Sequence, residues 1–159
     1  MPPGSDQRIA NLFLRECRRI VRRGPNVEKE RGVAIYDLLQ ENYFEPAGGF
    51  AGPYNLHLGI AGEGIEFDVR DEWEAPLTRV VMPLSRLRGI VKDYFLICDS
   101  YFKATESATP MHIEALDVGR RGVHNEGSEL LQEWLADKIS MDRNTARRLF
   151  TLICVLHIR

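Results

Sequence analysis

The sequence predicts a single α+β domain, with a small antiparallel sheet of three or four strands from the N-terminal half covered by a helical C-terminal half. Apolar and polar residues alternate cleanly over residues 54–60 and again over 65–69, the pattern of antiparallel strands with one dry and one wet face. After Pro83 the apolar residues recur at steps of three and four, the rhythm of helices. The 159 residues contain no repeat, low-complexity tract or linker, so both halves belong to one domain spanning residues 1–159, with residues 1–7 as a loose tail.

Residues 8–23 fit two descriptions. Ile9, Leu12, Phe13, Cys17, Ile20 and Val21 have helical spacing, yet residues 9–14 equally make a short strand leading into a basic loop. Gly24-Pro25 interrupts either one. Asn26 then serves as an N-cap, and Val27, Ala34, Ile35, Leu38 and Leu39 share one face of a helix running to about Asn42. Glycine and proline make residues 45–53 a loop. Strands follow at 54–60, 65–69 and 77–82, joined by turns at Gly62-Glu-Gly64 and Glu74-Ala-Pro76; a fourth can come only from residues 8–14.

In the helical half, Leu87, Val91, Tyr94, Cys98 and Tyr101 form a stripe expected to make the main contact with the sheet, with Tyr94 and Phe95 largely buried. Thr109-Pro110 opens the next helix as N-cap and first helical residue. Residues 118–128 read as a polar loop. Leu130, Leu131, Trp134, Leu135 and Ile139 give a further helix. Asp142 caps the last helix, whose segment 149–156 is apolar nearly all round and belongs in the core.

Composition narrows the function classes. A hydrophobic share of 44% with 28% charged residues is that of a soluble globular chain, not a disordered one. A net charge of -2 removes any whole-chain attraction to a nucleic-acid backbone. No run is long enough to span a bilayer, and the N-terminus lacks the apolar stretch of a signal peptide. Cys17, Cys98 and Cys154 lie far apart among apolar residues, as buried thiols in a reducing cytoplasm do. No Cys-x-x-Cys and no paired-histidine spacing points to a metal, and no cofactor fingerprint or nucleophile elbow is present; neither a cofactor nor a metal is expected.

Two polar clusters remain. Arg120, Arg121, His124, Asn125 and Glu126 sit between glycines, where guanidiniums suit a phosphate or carboxylate and amides near Gly127 at a helix start would assist them. His124 has a side chain able to move protons near neutral pH. The competing structural account pairs Arg120 and Arg121 with Asp117, three and four residues earlier, and makes Asn125 an N-cap. The second cluster is Arg15, Arg18, Arg19, Arg22 and Arg23, a basic run without a stacking aromatic. Its natural counterpart is the acidic hairpin carrying Glu63, Glu66, Asp68, Asp71, Glu72 and Glu74, by docking within the chain or by steering a partner.

The strings Glu28-Lys-Glu-Arg-Gly-Val-Ala-Ile-Tyr-Asp-Leu-Leu39, Ile90-Val-Lys-Asp-Tyr-Phe95, Gly119-Arg-Arg-Gly-Val-His-Asn-Glu-Gly-Ser128 and Thr145-Ala-Arg-Arg-Leu-Phe-Thr-Leu-Ile-Cys-Val-Leu-His157 resemble uncharacterised protein family 0262, a bacterial family of small cytosolic proteins. The sequence differs from that pattern at Asn26 and Lys29, where the family favours Asp and His. The resemblance implies a bacterial, single-domain protein and brings no activity, cofactor or catalytic residue with it.

The residues favour a non-enzymatic binding or regulatory module acting through a protein partner, supported by the segregated charges. The alternative is a small-anion site, for a phosphate ester or carboxylate, at residues 120–128. A weaker one is a nucleic-acid or ribosome-associated role carried by the arginine run. The four-three spacing of the helical stripe also permits a homodimer.

Overall fold

The computed structural model describes residues 6–15 and 25–156. Their order is β1 (Ile9–Arg15), α1 (Pro25–Gln40), β2 (Phe44–Pro46), β3 (Tyr54–Ala61), β4 (Gly64–Asp71), β5 (Pro76–Pro83), α2 (Arg88–Ser107), α3 (Pro110–Leu135), β6 (Ile139–Met141) and α4 (Arg143–Leu156), with a short 3-10 turn at Leu84–Arg86. The α+β class stands, with the sheet drawn from the first half and most of the helix from the second. No helix among the described residues is long and apolar enough to cross a membrane.

The main sheet runs β1-β3-β4-β5. β3, β4 and β5 form the expected antiparallel meander, in which Leu58 opposes Phe67 and Phe67 opposes Val80. Gly62 takes φ +60 in the tight turn between β3 and β4, a left-handed conformation that glycine adopts without strain. Of the segment left open in the sequence, the described residues 9–15 form a strand, and β1 joins β3 in parallel, so the sheet is mixed. A parallel neighbour needs a crossover. The chain between β1 and β3 contains α1, and Asn42 ties its end back to β1: its Oδ1 accepts from the Ile9 amide at 2.7 Å, while its Nδ2 donates to the carbonyls of Ile9 and Leu38.

Three segments differ from expectation. Residues 44–46, expected in a loop, pair antiparallel with β6, where Ile139 was expected in a helix. After Leu135 the chain turns, with the Lys138 amide on the Leu135 carbonyl, and Ile139 and Met141 then point inward at strand spacing. Three-residue strands are too short for periodicity to reveal. The third difference is larger. Residues 118–128 are the middle of the unbroken helix α3, not a loop.

α4 is the centre of the molecule. Leu149 to Leu156 are all buried, and α4 packs against α1, α3 and β3. The stripe on α2 is buried at Val91, Tyr94 and Cys98, with Phe95 partly so, but it lies chiefly along α3; α1, against β1, and α4, against β3, reach the main sheet. Asn26 is not the N-cap expected of it, since α1 already begins at Pro25, but the caps of α3 and α4 are as expected. Thr109 Oγ1 accepts from the His112 amide at 3.3 Å, and Asp142 Oδ1 accepts from the Thr145 amide at 3.0 Å. Gly127 of α3 sits where a Cβ would lie 2.4 Å from the Phe150 ring, so its missing side chain sets how closely α3 and α4 approach.

Candidate functional site

The polar residues of the sequence fall into three places. The first is the sheet face opposite the core. Arg15 reaches Asp68 at 3.2 Å and Glu66 at 3.7 Å, which makes the docking of basic run onto acidic hairpin real at that residue. Arg18, Arg19, Arg22 and Arg23 lie outside the described residues, as do Cys17 and His157. On the same face Glu74 accepts from Asn55 at 2.9 Å and Arg70 at 3.2 Å, and lies 2.8 Å from His57 Nε2. These partners, His57 first, hold its carboxyl below the usual range. The Phe13 ring stacks on His57 at 4.5 Å. Glu74 adopts φ 68, a conformation a non-glycine residue keeps only when its surroundings enforce it. The charges of this network pair with one another.

The second place is the start of the segment 120–128. Because α3 is continuous there, Gly127 does not open a helix and its neighbouring amides are committed to helix bonds. Arg120 donates to Asp117 at 2.9 Å and to Glu30 of α1 at 3.3 Å, and its guanidinium lies 4.8 Å from the centre of the Tyr101 ring. Arg121 also donates to Asp117. Arg120, with Arg121 behind it, holds the Asp117 carboxyl below the usual range. Both arginines are therefore engaged with acids, as the structural account of the sequence had them. Asn125 is not an N-cap; its Oδ1 accepts from Arg147 of α4. Glu126 forms no ion pair or side-chain hydrogen bond among the described residues.

The third place is a cleft of about 300 Å³ between α1, α3 and α4, lined by Glu30, Val33, Ala34 and Asp37, by His124, and by Asn144, Arg147, Arg148 and Thr151. Helical spacing builds it. Glu30, Val33, Ala34 and Asp37 follow i, i+3, i+4, i+7 on α1, and Asn144, Arg147, Arg148 and Thr151 repeat the same steps on α4. The steps that place apolar residues on a core face here place charge on a shared wall.

His124 is nearly buried, with edge-on contacts to Tyr94 and Phe150 at 5.3 and 6.3 Å. Its Nδ1 lies 2.8 Å from the Arg120 carbonyl, which can only accept, so Nδ1 carries the hydrogen and Nε2 is the ring's acceptor. Burial, against that hydrogen bond, pushes its pKa down and keeps the ring neutral. That hydrogen goes to a backbone acceptor and not to Glu126, so no carboxylate orients the ring for proton transfer.

The charges of the cleft are unevenly paired. Arg143 pairs with Glu129 at 3.2 Å. Arg147 has only the neutral amide of Asn125 as a side-chain partner, and Arg148 has no hydrogen-bond or ion-pair partner among the described residues, its Nε being buried and unbonded. Burial, followed by the charges of Arg143, Arg148, Arg120 and Arg121, pushes the Arg147 pKa down. Two guanidiniums thus stand half-buried in one concavity without a carboxylate partner among the described residues. A second cleft of about 380 Å³, at Met82, Arg86, Leu130, Glu133 and Trp134, has one charge of each sign. Sequence reasoning missed Asp37, Asn144, Arg147 and Arg148; the matched spacing on α1 and α4 was the available signal. Among the described residues no group of three His, Cys, Asp or Glu is placed to hold a metal ion.

The sequence model of the uncharacterised protein family UPF0262 matches residues 6–159. A UPF0262 protein of Paramagnetospirillum magneticum is 58% identical over 153 residues, covering 96% of this chain and 97% of that protein. One from Rhodopseudomonas palustris is 53% identical over 156 residues, covering 98% and 95%. Another, from Bradyrhizobium sp., is 54% identical over 159 residues, covering 98% and 94%. No solved structure matches the chain. With nearly the full length matched on both sides, the chain belongs to the bacterial uncharacterised protein family UPF0262.

Proposed function

We propose that this protein is a small-anion binding module whose site is the α1–α3–α4 cleft, with Arg147 and Arg148 as the anion-holding groups and Asn144 as a neutral hydrogen-bonding neighbour. The observation that carries it is the pair of half-buried guanidiniums without a carboxylate partner among the described residues. Partly desolvating a cation is costly unless an anion compensates it. A phosphate or carboxylate seated between two guanidiniums forms charge-assisted hydrogen bonds, which are roughly twice as strong as neutral ones. The anion site expected at residues 120–128 is thereby relocated by one helix, with His124 and Asn125 retained as its wall and brace.

Action through a protein partner at Arg15, Arg18, Arg19, Arg22 and Arg23 is the other reading, and a nucleic-acid partner at the same run its variant. The one described member, Arg15, spends its charge within the chain on Glu66 and Asp68, which favours the cleft.

Thermal unfolding in sodium phosphate against sodium chloride of equal ionic strength tests the proposal. A ligand at a hundred times its Kd stabilises the folded state by about 2.7 kcal/mol. Phosphate should raise the Tm of the natural chain, and the rise should vanish in Arg147→Gln/Arg148→Gln. No rise, or one that survives the double substitution, rejects the site.

A further inference from the structure

We propose that the ligand of this cleft is a small zwitterion, its oxyanion (phosphate or carboxylate) held by Arg147 and Arg148 of α4 and its ammonium held by Asp37 of α1. The proposal rests on the anion-binding reading and adds the second half of the ligand.

Asp37 lines the same cleft as the two arginines, from the opposite helix. It is partly buried, and its carboxylate makes no hydrogen bond or ion pair among the described residues. The other acid of the cleft, Glu30, is already bound to Arg120 at 3.3 Å. An unpaired carboxylate and an unpaired guanidinium therefore share one concavity without reaching each other, although α1 and α4 pack directly together. A plain anion on the arginines would meet repulsion from Asp37. A ligand that carries an ammonium on the far side of its oxyanion converts that repulsion into an ion pair and leaves both walls satisfied. Val33 and Ala34, on the same wall as Asp37, offer apolar contact to the short spacer of such a molecule. His124 adds a neutral acceptor rather than a third charge.

Calorimetric titration with matched probes tests this, using O-phosphoethanolamine against ethyl phosphate and β-alanine against propionate. Each pair is similar in size, and one member bears the ammonium. The natural chain should bind at least one ammonium-bearing member about tenfold tighter than its partner, equivalent to about 1.4 kcal/mol. In Asp37→Asn that preference should disappear, while ethyl phosphate binds the variant as well as before or better, which also shows the variant to be folded. If ethyl phosphate binds and no preference appears in the natural chain, the zwitterion proposal is overturned and the anion site stands. A preference that survives Asp37→Asn overturns the assignment of the ammonium to that carboxylate. If none of the four probes binds, the anion reading and the zwitterion proposal fall together.

Discussion

His124 shows how one residue type supports opposite expectations until its surroundings are known. In the sequence it lies three residues after a pair of arginines, with Gly122 between, a setting that suits a catalytic histidine. In the fold it is a nearly buried ring between Tyr94 and Phe150 that gives its Nδ1 hydrogen to the Arg120 carbonyl. Its folded pKa is lowered by burial, so the unfolded chain binds a proton there that the folded chain does not. That contribution to stability is complete above the unfolded pKa of about 6.5 and is lost as pH falls from there through the folded value. The Tm measured from pH 8 down to pH 5 should therefore decline below about 6.5, and His124→Asn should flatten part of that decline. An unchanged slope in the variant would mean that His124 is not the group charging on unfolding. Arg120 and Arg121 were legible in a narrower sense. Their spacing from Asp117 fits a helix-surface pair, and both do pair with it. That Arg120 also reaches Glu30 was hidden, because ninety residues separate the two and only the packing of α1 near α3 unites them.

At the scale of elements, α3 is where sequence and fold part most clearly. Gly119, Gly122 and Gly127 within ten residues read as loop punctuation, because each glycine weakens a helix by roughly 0.5–1 kcal/mol relative to alanine. The helix persists because its neighbours reward the missing side chains. A Cβ at Gly127 would strike the Phe150 ring at 2.4 Å, and one at Gly119 would press on Ile97 at 3.2 Å. Gly122 is different, since a Cβ there meets nothing within 4 Å and the residue is exposed. The account therefore expects opposite signs from one chemical change. Gly122→Ala should stabilise by up to about 1 kcal/mol through helix propensity. Gly127→Ala should destabilise by roughly 1–3 kcal/mol through overpacking at the α3–α4 crossing. Urea unfolding of the two variants decides it; equal effects would contradict the described packing. The strands show the complementary lesson. β3 and β4 are eight residues each with clean alternation and were read correctly, whereas β2 and β6 have three residues each and exist only because each supplies the other's edge.

For the whole molecule, the hydrophobic pattern was enough to place the core. Leu56, Leu58, Phe67 and Val69 on the sheet and residues 149–156 on the last helix are buried as their spacing implies. The parallel attachment of β1 was beyond reach, because Ile9, Leu12 and Leu14 favour a strand without naming its neighbour or its direction. The cleft was beyond reach for a related reason. Asp37 and Arg148 lie more than a hundred residues apart in the chain, and each alone looks like an ordinary solvated charge. Only the packing of α1 against α4 makes them neighbours in one concavity, where among the described residues no carboxylate pairs with either guanidinium. Binding, on this account, belongs to the helical layer and not to the polar face of the sheet, whose charges close upon one another. An amide-resolved NMR titration of the natural chain with ethyl phosphate tests that claim most directly. The account predicts saturable shifts concentrated at residues 30–37, 124 and 144–151, with the β3 and β4 amides unmoved. Shifts centred on the sheet face around Arg15 and Glu74, or none at saturating ligand, would contradict it.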